Sequence, residues 1–254
     1  MEKRKWYVRL IFILLAAGGL ALVLLTRADA IAEGATTAQK VLYAVNLIFT
    51  LVMLMLGCFP SPGKVELRTL TMAALFAALC YIGFTYCKID IPVGAEKTAF
   101  HLGNVFCVLA ALFIGGFWGG MAGAVGMTLA DLTTAYVTSA PKTFVLKLCI
   151  GLIVGALAHK VFCISRQQDR KMPLPVAVVL SCAGGMAFNV VADPLVGYFY
   201  KTYVLGVPQE AASIWAKMGA VTTAVNAVVA VIAATVFYLA LRPALQRSKL
   251  LPQI

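Results

Sequence analysis

Residues 143–163 read TFVLKLCIGLIVGALAHKVFC, and this run decides the fold. As a helix it rises about 31 Å, the thickness of the hydrocarbon layer of a bilayer. One charge, Lys147, interrupts it near its start, and His159 and Lys160 lie near its end. A lysine at membrane depth is costly, so it needs a partner, a water-filled cavity or a function. Similar runs lie at 6–25, 41–59, 70–87, 100–117, 119–137, 174–200 and 212–241, which makes eight candidate transmembrane helices. The expected fold class is all-α, a polytopic helical membrane bundle.

Composition agrees with that reading. Of 254 residues, 62% are apolar and 12% charged, and the mean hydropathy is +0.93. Soluble domains carry about 25% charged residues, so a soluble enzyme is excluded. The 21 Lys and Arg against 10 Asp and Glu give a net charge of +11. In a membrane protein this excess belongs to cytoplasmic loops beside anionic lipid rather than to nucleic acid. With the N-terminus inside, 13 of the 21 basic residues fall on the inner side and 8 on the outer. Both termini are therefore expected in the cytoplasm. Lys3-Arg4-Lys5, the following apolar run and Ala28-Asp29-Ala30 also fit a signal peptide, whose removal would leave seven spans. The long apolar core favours retention.

Catalytic and nucleotide motifs are missing from the sequence. Pro62-Gly63-Lys64-Val65 lacks the spacing and the Ser/Thr of a phosphate-binding loop. There is no H-E-x-x-H or G-x-S-x-G, so no enzymatic activity and no cofactor or metal are expected. Any driving force for transport must come from a partner or an ion gradient. The seven cysteines include no C-x-x-C pair and read as free thiols; His159 and Cys163, four apart, are too few for a metal site.

Small residues recur at helical spacing. Ala73/Ala77 and Ala74/Ala78 are overlapping Ala-x-x-x-Ala pairs, and Gly115, Gly116, Gly119, Gly120 and Gly123 form a ladder. Such faces let helix backbones approach closely in lipid. The glycine ladder is expected to pack the fourth and fifth spans together. On composition alone the alanine face packs either within the chain or against another subunit.

Asp131, Lys147 and Asp193 fall at one depth in the outer half of three different spans, which implies one cavity opening outward. His101 with Asn104, Thr128 with Asp131 and Thr134, Thr143 with Lys147, and Asn189 with Asp193 are each spaced to share a helix face. Asn226 on the last span is positioned to join them. Such a pocket suits a polar, flat or zwitterionic small molecule, with Tyr136, Tyr198 and Trp215 available to stack on a ring. The alternative is structural: Lys147 pairs with Asp131 or Asp193, His101 is interfacial, and Asn226 is an interhelical hydrogen bonder.

Five segments, in order, carry a family resemblance: Thr69-Leu70-Thr71-Met72-Ala73-Ala74-Leu75, Phe100-His101-Leu102-Gly103-Asn104, the glycine ladder leading to Leu129-Ala130-Asp131-Leu132, Ala140-Pro141-Lys142-Thr143-Phe144-Val145-Leu146-Lys147, and Gly197-Tyr198-Phe199-Tyr200. The chain from 69 to 241 resembles the substrate-binding S component of energy-coupling-factor (ECF) vitamin transporters, in the branch with riboflavin, hydroxymethylpyrimidine and pyridoxine carriers. The resemblance implies a six-helix core at 61–254, preceded at 1–60 by an added pair of helices. It implies that Ala73 and Ala77 dock on a coupling transmembrane subunit, and that two separate ATPase subunits power uptake across a bacterial cell membrane. It also implies that His101, Asn104, Asp131, Lys147, Asn189, Asp193 and Asn226 line or support a vitamin pocket, closed by loops at 88–100, 139–142 and 201–210. Two other classes stay open on the residues alone: a self-sufficient ion-coupled secondary transporter, with Asp131 or Asp193 as the ion site, and a non-transporting assembly subunit.

Overall fold

The computed structural model describes residues 6–31, scattered positions between 36 and 53, and 66–248 apart from 95, 166, 167, 169 and 171. Seven α-helices are found among them: α1 (Trp6–Ile31), α2 (Leu67–Thr85), α3 (Gly103–Ile114), α4 (Gly116–Thr133), α5 (Ala140–Gly155), α6 (Leu174–Phe199) and α7 (Gln209–Arg247). The protein is an all-α membrane bundle with one small exception. A β-hairpin, β1 (Lys88–Val93) and β2 (Glu96–His101), joins α2 to α3 in the register Lys88↔His101 to Val93↔Glu96. The expected second span at 41–59 lies largely outside the described residues, as does Cys58.

Among the described residues, four segments are long and apolar enough to cross a membrane: Leu67–Thr85, Val137–Val161, Leu174–Val204 and Gln209–Arg247. The apolar surface of α7 follows suit, since Val221, Val225, Val228, Ile232 and Val236 are exposed at three- and four-residue spacing. That stripe has the position and chemistry of a lipid-facing surface. The expected span at 100–117 is corrected: Phe100 and His101 belong to β2, and α3 keeps 12 residues, about 18 Å. The helix runs inside the bundle, every residue from Gly103 to Ile114 except Phe106 being buried among its neighbours. α5 and α6 each end in a π turn, Ala156–Val161 and Tyr200–Val204.

Glycine sets how tightly these helices approach. Gly115, at φ +81°, takes a backbone conformation open to glycine and separates α3 from α4 by one residue. Beyond it, a Cβ on Gly119 would meet the Ala111 backbone, and one on Gly123 the Cys107 side chain, so these two ladder positions pack α4 on α3. Gly116 and Gly120 instead face Gly155 and Gly151 of α5, backbone against backbone. On α2 the overlapping alanine pairs separate: Ala73 is 7% exposed, and the Ala77 carbonyl is packed on Gly126 of α4. The outward pair is Ala74 and Ala78, beside exposed Leu75 and Ile82. Ala73 and Ala77, expected at the docking face, are the more enclosed of the two pairs.

Because Gly151 touches backbone on α4, Gly151→Val should destabilise the bundle by about 1–3 kcal/mol through overpacking. Gly18→Ala, with nothing within 4 Å, should hold or raise stability. Thermal unfolding followed by size-exclusion chromatography measures both.

Candidate functional site

At its hairpin end the bundle opens into a cavity, walled by β2 and by side chains of α2 to α7. The hairpin covers it because three points on the bundle hold it there. At its base, the Asn226 side chain accepts from the His101 backbone N–H at 3.1 Å and donates to the Ala99 carbonyl at 3.0 Å. In its middle, the Tyr136 hydroxyl donates to Asp90 at 2.8 Å, with Lys88 at 3.2 Å from the same carboxylate. Partial burial would raise the Asp90 carboxyl, but the Tyr136 hydroxyl, then Lys88 and Lys97, outweigh it and hold it below the usual carboxylate range. At its tip, the Trp215 indole N–H donates to the Val93 carbonyl at 3.0 Å. Gly94, at φ +64°, makes the turn beside that contact.

All seven residues expected at the pocket from sequence line this one cavity: His101, Asn104, Asp131, Lys147, Asn189, Asp193 and Asn226. They come from β2 and from α3 to α7, so the convergence is a property of the bundle and not of any one helix. Their roles divide. The Asn226 amide is engaged with β2 on both of its atoms, so Asn226 supports the cavity rather than offering it a free group. Asp193 is likewise engaged: Lys142 stands 2.7 Å from one oxygen and the Thr223 hydroxyl donates to the other at 2.8 Å. The structural alternative, an ion pair between Lys147 and Asp131 or Asp193, is not formed. The partner of Asp193 is Lys142, at the start of α5, and among the described residues Lys147 forms no ion pair within 4.0 Å.

The remaining polar groups are buried and unmatched. Asn104, Asn189 and Asp131 are 2%, 1% and 2% exposed. One amide atom of each asparagine, the Asp131 Oδ2 and the His101 Nδ1 find no hydrogen-bond partner among the described residues. A buried polar group without a partner costs about 1–3 kcal/mol, so four in one cavity mark a place built to be filled by polar atoms. Lys147 adds a buried cation at the same level, with Thr143 beside Asp131. Four lysines line the cavity against two aspartates, since Lys97 and Lys201 join Lys142 and Lys147.

Aromatic walls complete the site. Phe84 packs on His101 with ring centroids 4.5 Å apart and on Tyr136 at 5.6 Å, and Trp215 lies across the cavity beneath Lys201, whose ammonium is 4.2 Å from the ring. Tyr198 is not among the lining residues and packs on Phe199 instead. Phe84 and Thr223 are among the lining residues not expected from sequence, since they carry no charge or spacing that would set them apart, while Lys142 and Lys201 were expected only within closing loops. At the other end of the bundle, His159 binds the Ala111 carbonyl and the Ser165 hydroxyl, apart from Cys163. Among the described residues no cluster of three or more His, Cys, Asp and Glu could hold a metal ion.

A family model described as "ECF-type riboflavin transporter, S component" matches residues 64–243, more than two thirds of the chain. No curated protein and no solved structure matched.

The Lys142–Asp193 pair is mostly buried, so removing either partner alone should strand a charge. Lys142→Met and Asp193→Asn are each expected to destabilise the protein by about 2 kcal/mol or more, and the double variant by less than the sum. A double-mutant cycle on thermal or denaturant unfolding reads the coupling directly.

Proposed function

Since the chain belongs to the ECF-type riboflavin transporter S components, transport subunits and not enzymes, we propose that its cavity captures a vitamin or vitamin precursor with a flat, polar heteroaromatic ring. Riboflavin is the first candidate, with hydroxymethylpyrimidine and pyridoxine as the others. The observation that carries this reading is the set of unmatched buried groups on His101, Asn104, Asp131 and Asn189, beside Lys147 and between the aromatic walls of Phe84, Tyr136 and Trp215. Such groups would hydrogen-bond the heteroatoms and hydroxyls of a ring while the aromatics stack on its faces. Asp193 and Asn226 hold the frame.

Capture is from outside. The positive-inside balance of the loops puts both termini in the cytoplasm and the hairpin end outside, in a bacterial plasma membrane with eight spans. Residues 61–254 form the substrate-binding core and 1–60 an N-terminal pair of helices. Energy comes from two ATPase subunits acting through a coupling transmembrane subunit, which docks on the outward face of α2 where Ala74 and Ala78 let a partner helix approach closely.

Purified protein should carry or take up riboflavin or one of the other two compounds, identified by mass spectrometry, and uptake into vesicles should require the ATPase module. Uptake by the lone chain driven by an imposed ion gradient would refute the reading. Asp131→Asn and Lys147→Met should each weaken binding about tenfold or more, the factor set by one lost hydrogen bond to a charged group. Titration of riboflavin by fluorescence quenching measures it. Ala74→Trp and Ala78→Trp should abolish uptake while leaving binding unchanged.

A further inference from the structure

Among the described residues, the N-terminal segment meets the core beside the π turn that follows α6. Val23 of α1 and Tyr43, 4% and 3% exposed, form an apolar cluster against which Val204 and Leu205, at the end of that turn, are packed. Tyr43 also lies close enough to Tyr200, the first residue of that turn, for the two phenols to interact. The backbone of the turn folds back on itself, the Leu205 N–H donating to the Tyr200 carbonyl at 3.1 Å and the Val207 N–H to the Lys201 carbonyl at 3.0 Å. Lys201 sits in the middle of this loop, its ammonium 4.2 Å from the centre of the Trp215 ring. Trp215 in turn holds the hairpin tip through Val93. A continuous series of contacts therefore runs from Val23 and Tyr43 to the cover of the cavity.

We infer that the N-terminal helices position this cover: Val23 and Tyr43, wedged against Val204 and Leu205, hold the Lys201–Trp215–Val93 contact in place. Of the three attachments of the hairpin, the base is fixed by two hydrogen bonds from Asn226, a residue on the long helix α7. Among the described residues the tip is held by one indole N–H, and the lysine lying on that indole springs from a π turn, a geometry that recurs at functional sites. An apolar wedge behind the turn limits how far Lys201 can withdraw, and so how readily the tip lets go. The N-terminal pair thereby sets how often the cavity opens, without contacting a ligand. This builds on the assignment of the cavity as the vitamin site. The test uses ligand-free protein, so it succeeds or fails independently of that assignment.

Contacts in series are coupled only if they are made and lost together. Hydrogen–deuterium exchange on the full-length protein in nanodiscs, without ligand, reads this. In Tyr43→Ala, exchange is expected to rise about tenfold at 88–101 as well as at 200–207, the factor that loss of one net hydrogen bond sets. Trp215→Phe, which deletes the indole donor, should produce the same rise at 88–101, and the double variant should go no further. Val23→Ala removes less of the wedge and should give the same pattern in weaker form, which keeps the test decisive if Tyr43→Ala fails to fold. A rise confined to 20–50 and 200–207 with the hairpin unchanged, or fully additive effects in the double variant, would overturn the inference.

Discussion

The Asn226 amide bound to the edge of β2 is the contact on which the rest of the site depends. A strand edge buried against an apolar bundle presents backbone groups that lipid-facing helices cannot satisfy. One asparagine on α7 supplies a donor and an acceptor in the arrangement that a neighbouring strand would provide, to the Ala99 carbonyl and the His101 N–H. The hairpin can therefore fold inward over the bundle instead of lying out in solvent. Its last residue, His101, then enters the cavity wall, and α3 begins two residues later with Asn104 already buried. The shortness of α3 follows from the same cause, since the residues that would have lengthened it are in β2.

Around this cover the bundle separates its polar groups into two kinds. Lys142, Asp193 and Thr223 satisfy one another and tie α5, α6 and α7 together. His101, Asn104, Asp131 and Asn189 each leave an atom unmatched toward the same space. Polar groups left open on one side of a shared cavity are completed by buried water or by a bound molecule, whereas a closed structural network offers neither a place. The tight glycine contacts of α4 with α3 and α5 fit that division. They leave no room for polar groups along those seams and concentrate them at the hairpin end.

Much of the site was legible in the sequence because a charge or amide in an apolar run is rare and therefore informative. The depths of Asp131, Lys147 and Asp193 sufficed to bring three helices to one cavity. What stayed hidden was pairing. Lys142 reads as a loop residue after Ser139-Ala140-Pro141, yet Pro141 sits in the first turn of α5, where its missing N–H is harmless, and that places Lys142 on the helix facing Asp193. The hairpin carries a weak alternating signal in Ile89-Asp90-Ile91-Pro92-Val93 before Gly94, easily masked by the longer runs beside it. Overlapping alanine pairs cannot reveal which one faces outward. Gly126 on another helix decides it, by accepting Ala77 and leaving Ala74 and Ala78 outside. The role of Asn226 was open for the same reason, since only the folded hairpin shows what its amide binds.

The central claim is that the unmatched groups of the cavity are completed by a vitamin ring. A structure of the full-length protein determined with riboflavin tests it most directly. The arrangement requires the ligand to lie under the β-hairpin, with its polar atoms within hydrogen-bonding distance of Asn104, Asp131, Lys147 and Asn189 and its ring against Phe84, Tyr136 or Trp215. A ligand bound elsewhere, with those four side chains bridged only by water, would contradict it.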